Sequence, residues 1–373
     1  MQTDHEEHDT TLLIGDGLIQ QIASGQSLAA DEVIELRDSV VFPGFIDVHN
    51  HGSAGIDVMQ GDASGLQRVS QYLAAQGVTA WVPTLVPASD DEYSKVSVAI
   101  ELAMRDHGVG ARVLGIHYEG PFVNMAQCGA LHKSFFKTYS GPTDLNCLRT
   151  PKSGVKMITM APEIEGGVEL VNQLGERGWV ISIGHTRADF QLLDAAFSSG
   201  ARHMTHFMNA MPQLHHRNPG PVGWGMSRDD VTFDIIADGI HLDRSVLRLL
   251  MKTKGSSLIS LISDAIAATG EGDGDYTIWG ETISVQNGRT SNASGSIAGS
   301  VITMLDAVRM MRTLGVSDIE VAQMASSNPA RLLKIDHECG SIEEGKRADL
   351  VAIDTSGNVK LTVVGGEVVF SAR

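Results

Sequence analysis

The sequence predicts an α/β fold of the TIM type, a (β/α)8 barrel, with a small β-sandwich domain formed by the N- and C-terminal segments. Three observations lead to this prediction: eight short apolar runs rich in β-branched residues, helix-like segments between them, and hairpin patterns confined to the two ends. Strands that alternate with helices form parallel sheets covered on both faces, and eight such units can close into a barrel.

The candidate barrel strands are apolar and short. They are residues 39–49, 79–86, 111–119, 155–162, 179–186, 202–208, 231–238 and 257–265. The clearest helix candidates are 63–77, 93–108, 167–178 and 189–200. All four end in glycine, a residue that commonly follows the final turn of a helix. This alternation assigns residues 42–343 to the barrel.

The two ends of the chain have the pattern of antiparallel strands. Residues 11–25 predict a hairpin that turns at GDG, and residues 345–373 predict further strands that turn at SGN and GG. Neither end is long enough to form a core alone, so residues 1–41 and 344–373 are expected to make one small β-domain. The glycine-rich segment 270–296 predicts a loop with a short hairpin beyond the eighth strand.

Composition and charge limit the possible partners. The chain has 28 Lys and Arg against 45 Asp and Glu, a net charge of −17, and 42% hydrophobic residues. Such a surface repels nucleic acid and anionic membranes, so neither is expected as a partner, and an anionic substrate needs local cations. Three cysteines without CxxC spacing predict reduced thiols in a cytoplasmic protein. The polar, acidic N-terminus predicts no signal peptide.

Histidine and acidic side chains stand where the predicted strands end. They are His49 and His51, His117 and Glu119, His185, His206, and Asp264. Catalytic groups of TIM barrels lie at these strand ends, and residues i and i+2 of a strand point to the same side. Imidazole nitrogen and carboxylate oxygen are usual ligands of zinc and similar ions. A single histidine is more often structural, but the joint pattern predicts a divalent metal site.

The remaining histidines receive no metal-binding role. His117 and His203 lie inside predicted strands and are interpreted as structural. Four others lie on predicted surface segments: His5, His8, His107 and His337.

Further motifs run along nearly the whole chain. They include PGFIDVHNHG (43–52), HYEGPFVN (117–124), GHT (184–186), THFMNAM (205–211), ADGIH (237–241), SDAIAATG (263–270) and GSIAGS (295–300). With them the chain resembles the amidohydrolase superfamily and, within it, the deacetylases of N-acetylglucosamine 6-phosphate. The resemblance implies a metal-dependent hydrolase that releases acetate and leaves glucosamine 6-phosphate.

The resemblance implies a role for each matched residue. Glu119, His185 and His206 would hold the main metal, and His49 and His51 a second one bridged by Glu119, so that one or two divalent ions, most simply Zn²⁺, bind per subunit. Asp264 matches the catalytic aspartate. The positions that match substrate contacts are Ala130, His132, Asn209, Ala210, Arg217, His241, Ile297, Ala298 and Gly299. In the family Arg217 and His241 can act across a subunit interface, which implies a homodimer.

Several assignments have a competing interpretation. Asp264 could instead cap a helix that begins in AIAATG. Cys128 could lie near the site, although a buried thiol is favoured. His132 is displaced by one residue from the family pattern. His215 and His216 could add charge near a phosphate or belong to a solvated loop, and a helix opening at Asn209 would add an anion site.

Other functions remain open at this stage. Another amidohydrolase could act on N-acetylgalactosamine 6-phosphate, a cyclic amide or an N-acyl amino acid. A non-catalytic barrel could bind a sugar phosphate as a sensor. The match of Arg217 and His241 favours a phosphorylated substrate over a cyclic amide, and a sensor would not need Asp264.

Overall fold

The structure is a computed structural model that describes residues 6–106 and 108–372. His5 and His107 lie outside the described residues, as do the outermost residues of the two predicted terminal segments. The strands follow one another along the chain as β1 (Thr10–Gly15), β2 (Leu18–Ser24), β3 (Ser39–Pro43), β4 (Phe45–Asn50), β5 (Gly52–Ser53), β6 (Ile56–Asp57), β7 (Val78–Leu85), β8 (Arg112–Val113), β9 (Gly115–Glu119), β10 (Val155–Met160), β11 (Val180–Ile183), β12 (His203–Met204), β13 (Thr232–Ile236), β14 (Ile259–Ile262), β15 (Gly274–Ile278), β16 (Glu281–Gln286), β17 (Arg289–Ser291), β18 (Leu350–Asp354), β19 (Val359–Val364) and β20 (Glu367–Ser371).

The α-helices alternate with the central strands. They are α1 (Ala63–Ala75), α2 (Asp90–Arg105), α3 (Gly167–Glu176), α4 (Phe190–Ser198), α5 (Gly220–Ser227), α6 (Arg244–Lys254), α7 (Met304–Thr313), α8 (Asp318–Ala322) and α9 (Asn328–Leu332). Short 3₁₀ turns occur at Met125–Gln127, Lys133–Phe135, Pro142–Cys147 and Ser256–Leu258, and a π turn at Gln323–Ser327.

Side-chain caps explain where the predicted helices begin. Asp62 accepts a hydrogen bond from the Gly65 N–H at the start of α1, and Ser89 with Glu92 forms a capping box that starts α2 before the predicted residue 93. α2 ends at Arg105, so Gly108 does not follow its last turn, contrary to the prediction.

Eight parallel strands form the barrel. Their order is β4, β7, β9, β10, β11, β12, β13 and β14, and β8 lies beside β7. The barrel closes between its first and last strands, because the Asp264 N–H donates to the His49 carbonyl at 2.9 Å and the His51 N–H donates to the Ala265 carbonyl at 2.7 Å. The predicted TIM-type barrel is confirmed.

The predicted strand at 39–49 is in fact two strands in different sheets. β3 pairs with β18 of the small sheet, and β4 pairs with β7 of the barrel. The chain changes sheet at Gly44, where a Cβ atom would lie 2.1 Å from Thr79 Oγ1. An uninterrupted apolar run does not reveal such a change. The prediction at 202–208 was also too long, since the chain turns after Met204.

Both ends of the chain contribute to the small β-domain. β1 and β2 form the predicted hairpin, and β3 joins β18, β19 and β20 in a four-stranded antiparallel sheet. Ile19 of β2 is buried with Ala348 and Leu350, so the two ends share one core. The β-sandwich is confirmed, whereas its boundaries at residues 41 and 344 stay a prediction.

Residues 274–291 form more structure than the predicted short hairpin. β15, β16 and β17 make a three-stranded antiparallel meander. Its buried side chains, Ile278 and Ile283, pack with Ile266 and Ala298, which follow the last barrel strand. The meander therefore lies against the segments that leave the C-terminal end of the barrel.

Alternation along β9 shows how the barrel separates its core from its site. Ile116 and Tyr118 belong to the apolar cluster between strands and helices, together with Leu73 and Leu170 of the helices. His117 and Glu119 therefore point to the opposite face, the barrel interior, since successive strand residues alternate.

Candidate metal and active site

The predicted metal ligands and Asp264 converge at the C-terminal ends of the barrel strands. His49 lies in β4 and Glu119 ends β9, while His51, His185, His206 and Asp264 follow the ends of β4, β11, β12 and β14. All six residues are buried. Side chains that are far apart in sequence thus share one enclosed site, as the TIM architecture requires.

The first group of ligand atoms surrounds one oxygen of Glu119. Glu119 Oε1 lies 2.9 Å from His185 Nε2 and 3.0 Å from His206 Nε2, and the two Nε2 atoms are 3.1 Å apart. The ligand atoms of this group lie within 4.8 Å of one another. A single ion can contact all three side chains.

The second group lies beside the first. His49 Nε2 and His51 Nε2 are 3.0 Å apart, and His51 Nε2 lies 3.2 Å from Asp264 Oδ1. The other Glu119 oxygen, Oε2, lies 3.4 Å from His51 Nε2. Glu119 therefore stands between the two groups, with one oxygen near the ligand atoms of each.

Hydrogen bonds to backbone carbonyls orient two of the imidazoles. His51 Nδ1 lies 3.1 Å from the Thr84 carbonyl, and His185 Nδ1 lies 2.7 Å from the Gln127 carbonyl. A carbonyl only accepts, so each Nδ1 carries the proton, and the Nε2 lone pair of a neutral ring points into the site. Acceptor atoms then face the Glu119 oxygens, an arrangement that requires protons or a cation between them.

The electrostatics of the site favour added positive charge. Burial opposes charge on the imidazoles, yet Asp264 and Glu119 raise the pKa of His51 to about 10, and Glu119 raises the pKa of His206 to about 9. Burial also opposes ionisation of Glu119, but its contacts with His185 and His206 hold its pKa well below the usual value. Burial holds the pKa of His49 well below the ordinary value. A divalent metal supplies the charge that these groups otherwise take up as protons, so the donor set fits a divalent metal.

Backbone conformation turns three of these side chains into the site. The φ angles of His185, His206 and Asp264 are 47°, 31° and 50°, in the left-handed region. Non-glycine residues in such conformations cost about 1–3 kcal/mol each and cluster at functional sites. The packing of the barrel has to compensate for the cost of this backbone strain.

Two buried aspartates support the ligands and were missed by the sequence analysis. Asp47 Oδ2 accepts hydrogen bonds from Ser263 Oγ at 2.5 Å and from Asn50 Nδ2 at 3.1 Å, and burial raises the pKa of Asp47 to about 6. Asp234 accepts from the His206 N–H and contacts His203 Nε2 at 2.9 Å. Asp47 lies two residues before His49 and therefore on the same side of the strand. This spacing is the signal in the sequence that could have identified Asp47.

The histidines interpreted as structural have protein partners. His117 contacts the hydroxyl groups of Thr84 and Thr159, at 3.1 and 2.9 Å. His203 contacts Thr232 Oγ1 at 2.8 Å in addition to Asp234. Neither belongs to the two ligand groups.

Some predicted substrate residues lie close to these ligands. Gly299 has a φ of 54°, and a Cβ atom there would lie 3.7 Å from Asp264 Oδ1. Ala298, beside it, is buried, and Ile297 is half-buried. Asn209 Nδ2 donates to the His206 carbonyl at 3.1 Å, and Ala210 continues the same turn with a φ of 50°.

The other predicted substrate residues lie on loops. His132 Nε2 lies 2.7 Å from the Trp279 carbonyl, and Ala130 is half-buried in the same loop. His241 Nδ1 lies 2.6 Å from Asp238 Oδ2, which fixes the ring. Arg217 is exposed and donates to His216 Nε2 at 2.9 Å. Within one protomer, the hydrogen bonds of the described residues do not join Arg217 to the metal ligands, and its role stays a prediction.

The structure also decides between several competing interpretations. Asp264 caps no helix in the described chain, because the segment after it is irregular and β15 is the next regular element. No helix opens at Asn209, since residues 205–210 form turns and α5 begins at Gly220. The favoured interpretation of Cys128 as a buried thiol was wrong, because the residue is partly exposed, and its neighbour Gln127 contacts His185. His215 and His216 are exposed.

Comparison with known proteins agrees with this geometry. A model of the amidohydrolase family matches residues 40–369. The chain belongs to the amidohydrolase family. This amidohydrolase is 35% identical over 374 residues to the N-acetylglucosamine-6-phosphate deacetylase of Bacillus subtilis (strain 168), covering 96% of this chain and 92% of the relative. It is 33% identical to the N-acetylgalactosamine-6-phosphate deacetylase of Escherichia coli O157:H7, covering 96% and 94%.

A solved structure extends the likeness to the fold. An Asp-to-Ala variant of the N-acetyl-D-glucosamine-6-phosphate deacetylase from Mycobacterium smegmatis, in complex with N-acetyl-D-glucosamine 6-phosphate, superposes with a TM-score of 0.90. That protein is 29% identical to this amidohydrolase, and the match covers 100% of this chain and 97% of the other. Among the described residues, no helix is long and apolar enough to cross a membrane.

The position of Glu119 between the two groups predicts the effect of Glu119→Gln on metal binding. The amide keeps the shape but loses the charge that both ligand groups share, so metal affinity should fall by at least about tenfold. Elemental analysis after dialysis against a fixed metal concentration measures this. Glu92→Gln, a change in the exposed capping box of α2, is the control and should leave the metal content unchanged. Parental metal content in Glu119→Gln would contradict the bridging role.

Proposed function

We propose that this amidohydrolase removes the acetyl group of N-acetylglucosamine 6-phosphate, and that it uses one or two Zn²⁺ ions per subunit, works in the cytoplasm and forms a homodimer. The observation that carries the proposal is the convergence of Glu119, four histidines and Asp264 in one buried site. Relatives and structural neighbours over nearly the full chain length act on the same class of substrate.

The position of Asp264 supports a role in moving the protons of the reaction. A bound divalent metal supplies Lewis acidity, which lowers the pKa of water and polarises the acetyl carbonyl. Asp264 Oδ1 lies 3.2 Å from His51 Nε2 and 3.5 Å from His49 Nε2, so the carboxylate borders the ligand set. We propose that it takes a proton from the attacking water and returns it to the nitrogen as the amide C–N bond breaks. Acetate and the free amine are then the products.

The phosphate requires cations because the protein as a whole is strongly acidic. Arg217 can form a bidentate pair with phosphate oxygens. Its exposure on the protomer fits the proposal that it completes the site of the other subunit in a homodimer. His241, held by Asp238, and the turn at Asn209 and Ala210 are proposed as the further contacts to the sugar phosphate.

A second candidate substrate is N-acetylgalactosamine 6-phosphate, because the Escherichia coli relative with that name is 33% identical to this chain. The two sugars differ only in the configuration of one hydroxyl group, and the metal ligands and Asp264 are not proposed to contact that group. The relative rates on the two epimers therefore decide between them.

Acetate release is the direct test of the proposed function. Purified protein should release acetate from N-acetylglucosamine 6-phosphate, lose this activity after verified metal removal, and regain it with Zn²⁺. N-acetylgalactosamine 6-phosphate and unphosphorylated N-acetylglucosamine serve as comparison substrates. Unchanged turnover without metal would exclude the mechanism, and a preference for the unphosphorylated sugar would exclude the proposed substrate.

Asp264→Asn separates proton transfer from binding. The variant keeps the shape of the side chain but cannot accept a proton, so kcat should fall by about 10²–10⁴-fold while bound metal is retained. Asp189→Asn is the matched control, because Asp189 caps α4 and asparagine caps equally well. Steady-state kinetics with metal analysis measure both. An Asp264→Asn variant with near-parental kcat would reject the catalytic role.

Arg217→Ala tests the phosphate contact. Losing a charge-assisted hydrogen bond costs about 1.5–3 kcal/mol, so KM for the 6-phosphate should rise at least about tenfold. KM for the unphosphorylated sugar should change far less. Lys152→Ala removes an exposed cation from the N-terminal side of β10 and is the control. Equal effects of Arg217→Ala on both substrates would show that Arg217 does not bind the phosphate.

A further inference from the structure

Five hairpins of the described chain turn on two residues that both have positive φ. The turns are Asp16-Gly17, Ala54-Gly55, Trp279-Gly280, Asn287-Gly288 and Gly365-Gly366, with φ between 51° and 82°. Two-residue hairpin loops of this kind favour Asn, Asp and Gly, because other side chains are strained there. Three turns follow the rule, and two depart from it, with the small side chain of Ala54 in one and the bulky indole of Trp279 in the other. A bulky residue in this conformation persists only where another contact maintains it.

Trp279 contacts two histidines of the site. Its ring lies edge-on to the ring of the metal ligand His51, with 5.2 Å between centroids. Its carbonyl is 2.7 Å from His132 Nε2, in the loop that resembles a substrate-binding loop. Both side chains belong to the machinery described above, so Trp279 is held at the edge of the reacting centre.

A buried carboxylate faces the same tryptophan. Burial raises the pKa of Asp57 to about 6, while the Met59 N–H, the nearby His51 and the backbone and indole N–H groups of Trp279 lower it. Even so, Trp279 Nε1 and Asp57 Oδ2 are both buried without a hydrogen bond of normal geometry to any described residue. A donor and an acceptor thus remain available at one edge of the site.

Two apolar clusters meet at Trp279. One cluster contains Ala298, and Ala130 packs against it; the other cluster contains Leu131 and Val123. Ala130 and Ala298 are two of the positions that resemble substrate contacts. The indole therefore packs where the loop at 129–132 and the loop at 297–299 both approach the metal ligands.

We propose that Trp279 is a specificity-determining residue that borders the N-acyl group of the substrate and limits its length. The inference rests on the proposed function. For Asp264 to exchange a proton with the amide, the carbonyl end of the substrate has to reach Asp264 Oδ1, which lies 3.2 Å from His51 Nε2. The indole stands against that same histidine. An acetyl group fits beside it, and a longer acyl chain meets the indole.

The unusual turn supplies a variant that removes the indole and keeps a favourable turn. Trp279→Asn creates the dipeptide that two-residue turns favour, which offsets part of the packing lost with the indole, and the unfolding temperature verifies that the variant is folded. The ratio of kcat/KM for N-propionyl over N-acetylglucosamine 6-phosphate should rise by at least about tenfold, since one methylene changes discrimination by about 10–200-fold. Trp279→Phe keeps a ring and should shift the ratio less. An unchanged ratio in a stable Trp279→Asn variant would overturn the proposal.

The next turn of the same meander provides the control. Asn287→Ala disturbs the turn between β16 and β17 but keeps the indole, so the acyl ratio should equal that of the parent. If this variant shifts the ratio as far as Trp279→Asn does, loosening of the meander explains the effect, and the specificity role of Trp279 is overturned.

Equilibrium binding separates failure of this inference from failure of the proposed function. In metal-loaded Asp264→Asn protein, where turnover is slow, the dissociation constants of both acyl substrates are measured with and without Trp279→Asn. Trp279→Asn should tighten N-propionyl relative to N-acetyl binding by about tenfold. Absence of binding of either 6-phosphate would overturn the proposed function. Binding of both with an unchanged ratio would overturn only the role of Trp279.

Discussion

The rest of the site depends on the contacts between the buried carboxylate of Glu119 and the imidazoles around it. One oxygen lies 2.9 and 3.0 Å from two imidazole nitrogens, and the other lies 3.4 Å from His51. A buried charge of this kind is unstable without compensation, because transfer out of water costs several kcal/mol. Two groups of histidines and Asp264 are arranged around it, and a divalent metal between these donors would neutralise the charge that the barrel encloses.

The barrel makes this concentration of polar groups possible by separating two faces of each strand. In β9, Ile116 and Tyr118 pack outward among the helices, while His117 and Glu119 point inward. Outward packing stabilises the fold, so the inward residues at the strand ends are free to serve chemistry. Closure of the barrel passes through the site itself, because the Asp264 N–H bonds to the His49 carbonyl. The hydrogen bond that helps to close the barrel therefore also positions the backbone of the candidate base.

The sequence predicted the parts of this structure that depend on local pattern. Strand and helix alternation predicted the barrel, and H-x-H with the histidines and acids at later strand ends predicted the side chains that the structure brings together. It could not show that one apolar run changes sheet at Gly44, because the close approach of Gly44 to Thr79, distant in sequence, exists only in the folded chain. It also missed Asp47 and Asp234, whose importance appears only when Ser263, Asn50 and His206 come within hydrogen-bond distance.

The places where local rules fail are themselves informative. Among the non-glycine residues with positive φ, Asp16 and Asn287 occupy turns that their side chains favour. A turn preference of this kind does not explain the positive φ of four others: His185, His206, Asp264 and Trp279. The first three carry the predicted ligands or base, and the fourth contacts His51. Sequences that fold reliably agree with their structure at most positions and depart from it where function demands strain. This contrast is what separates Trp279 from an ordinary turn residue and links the meander to the chemistry of the barrel.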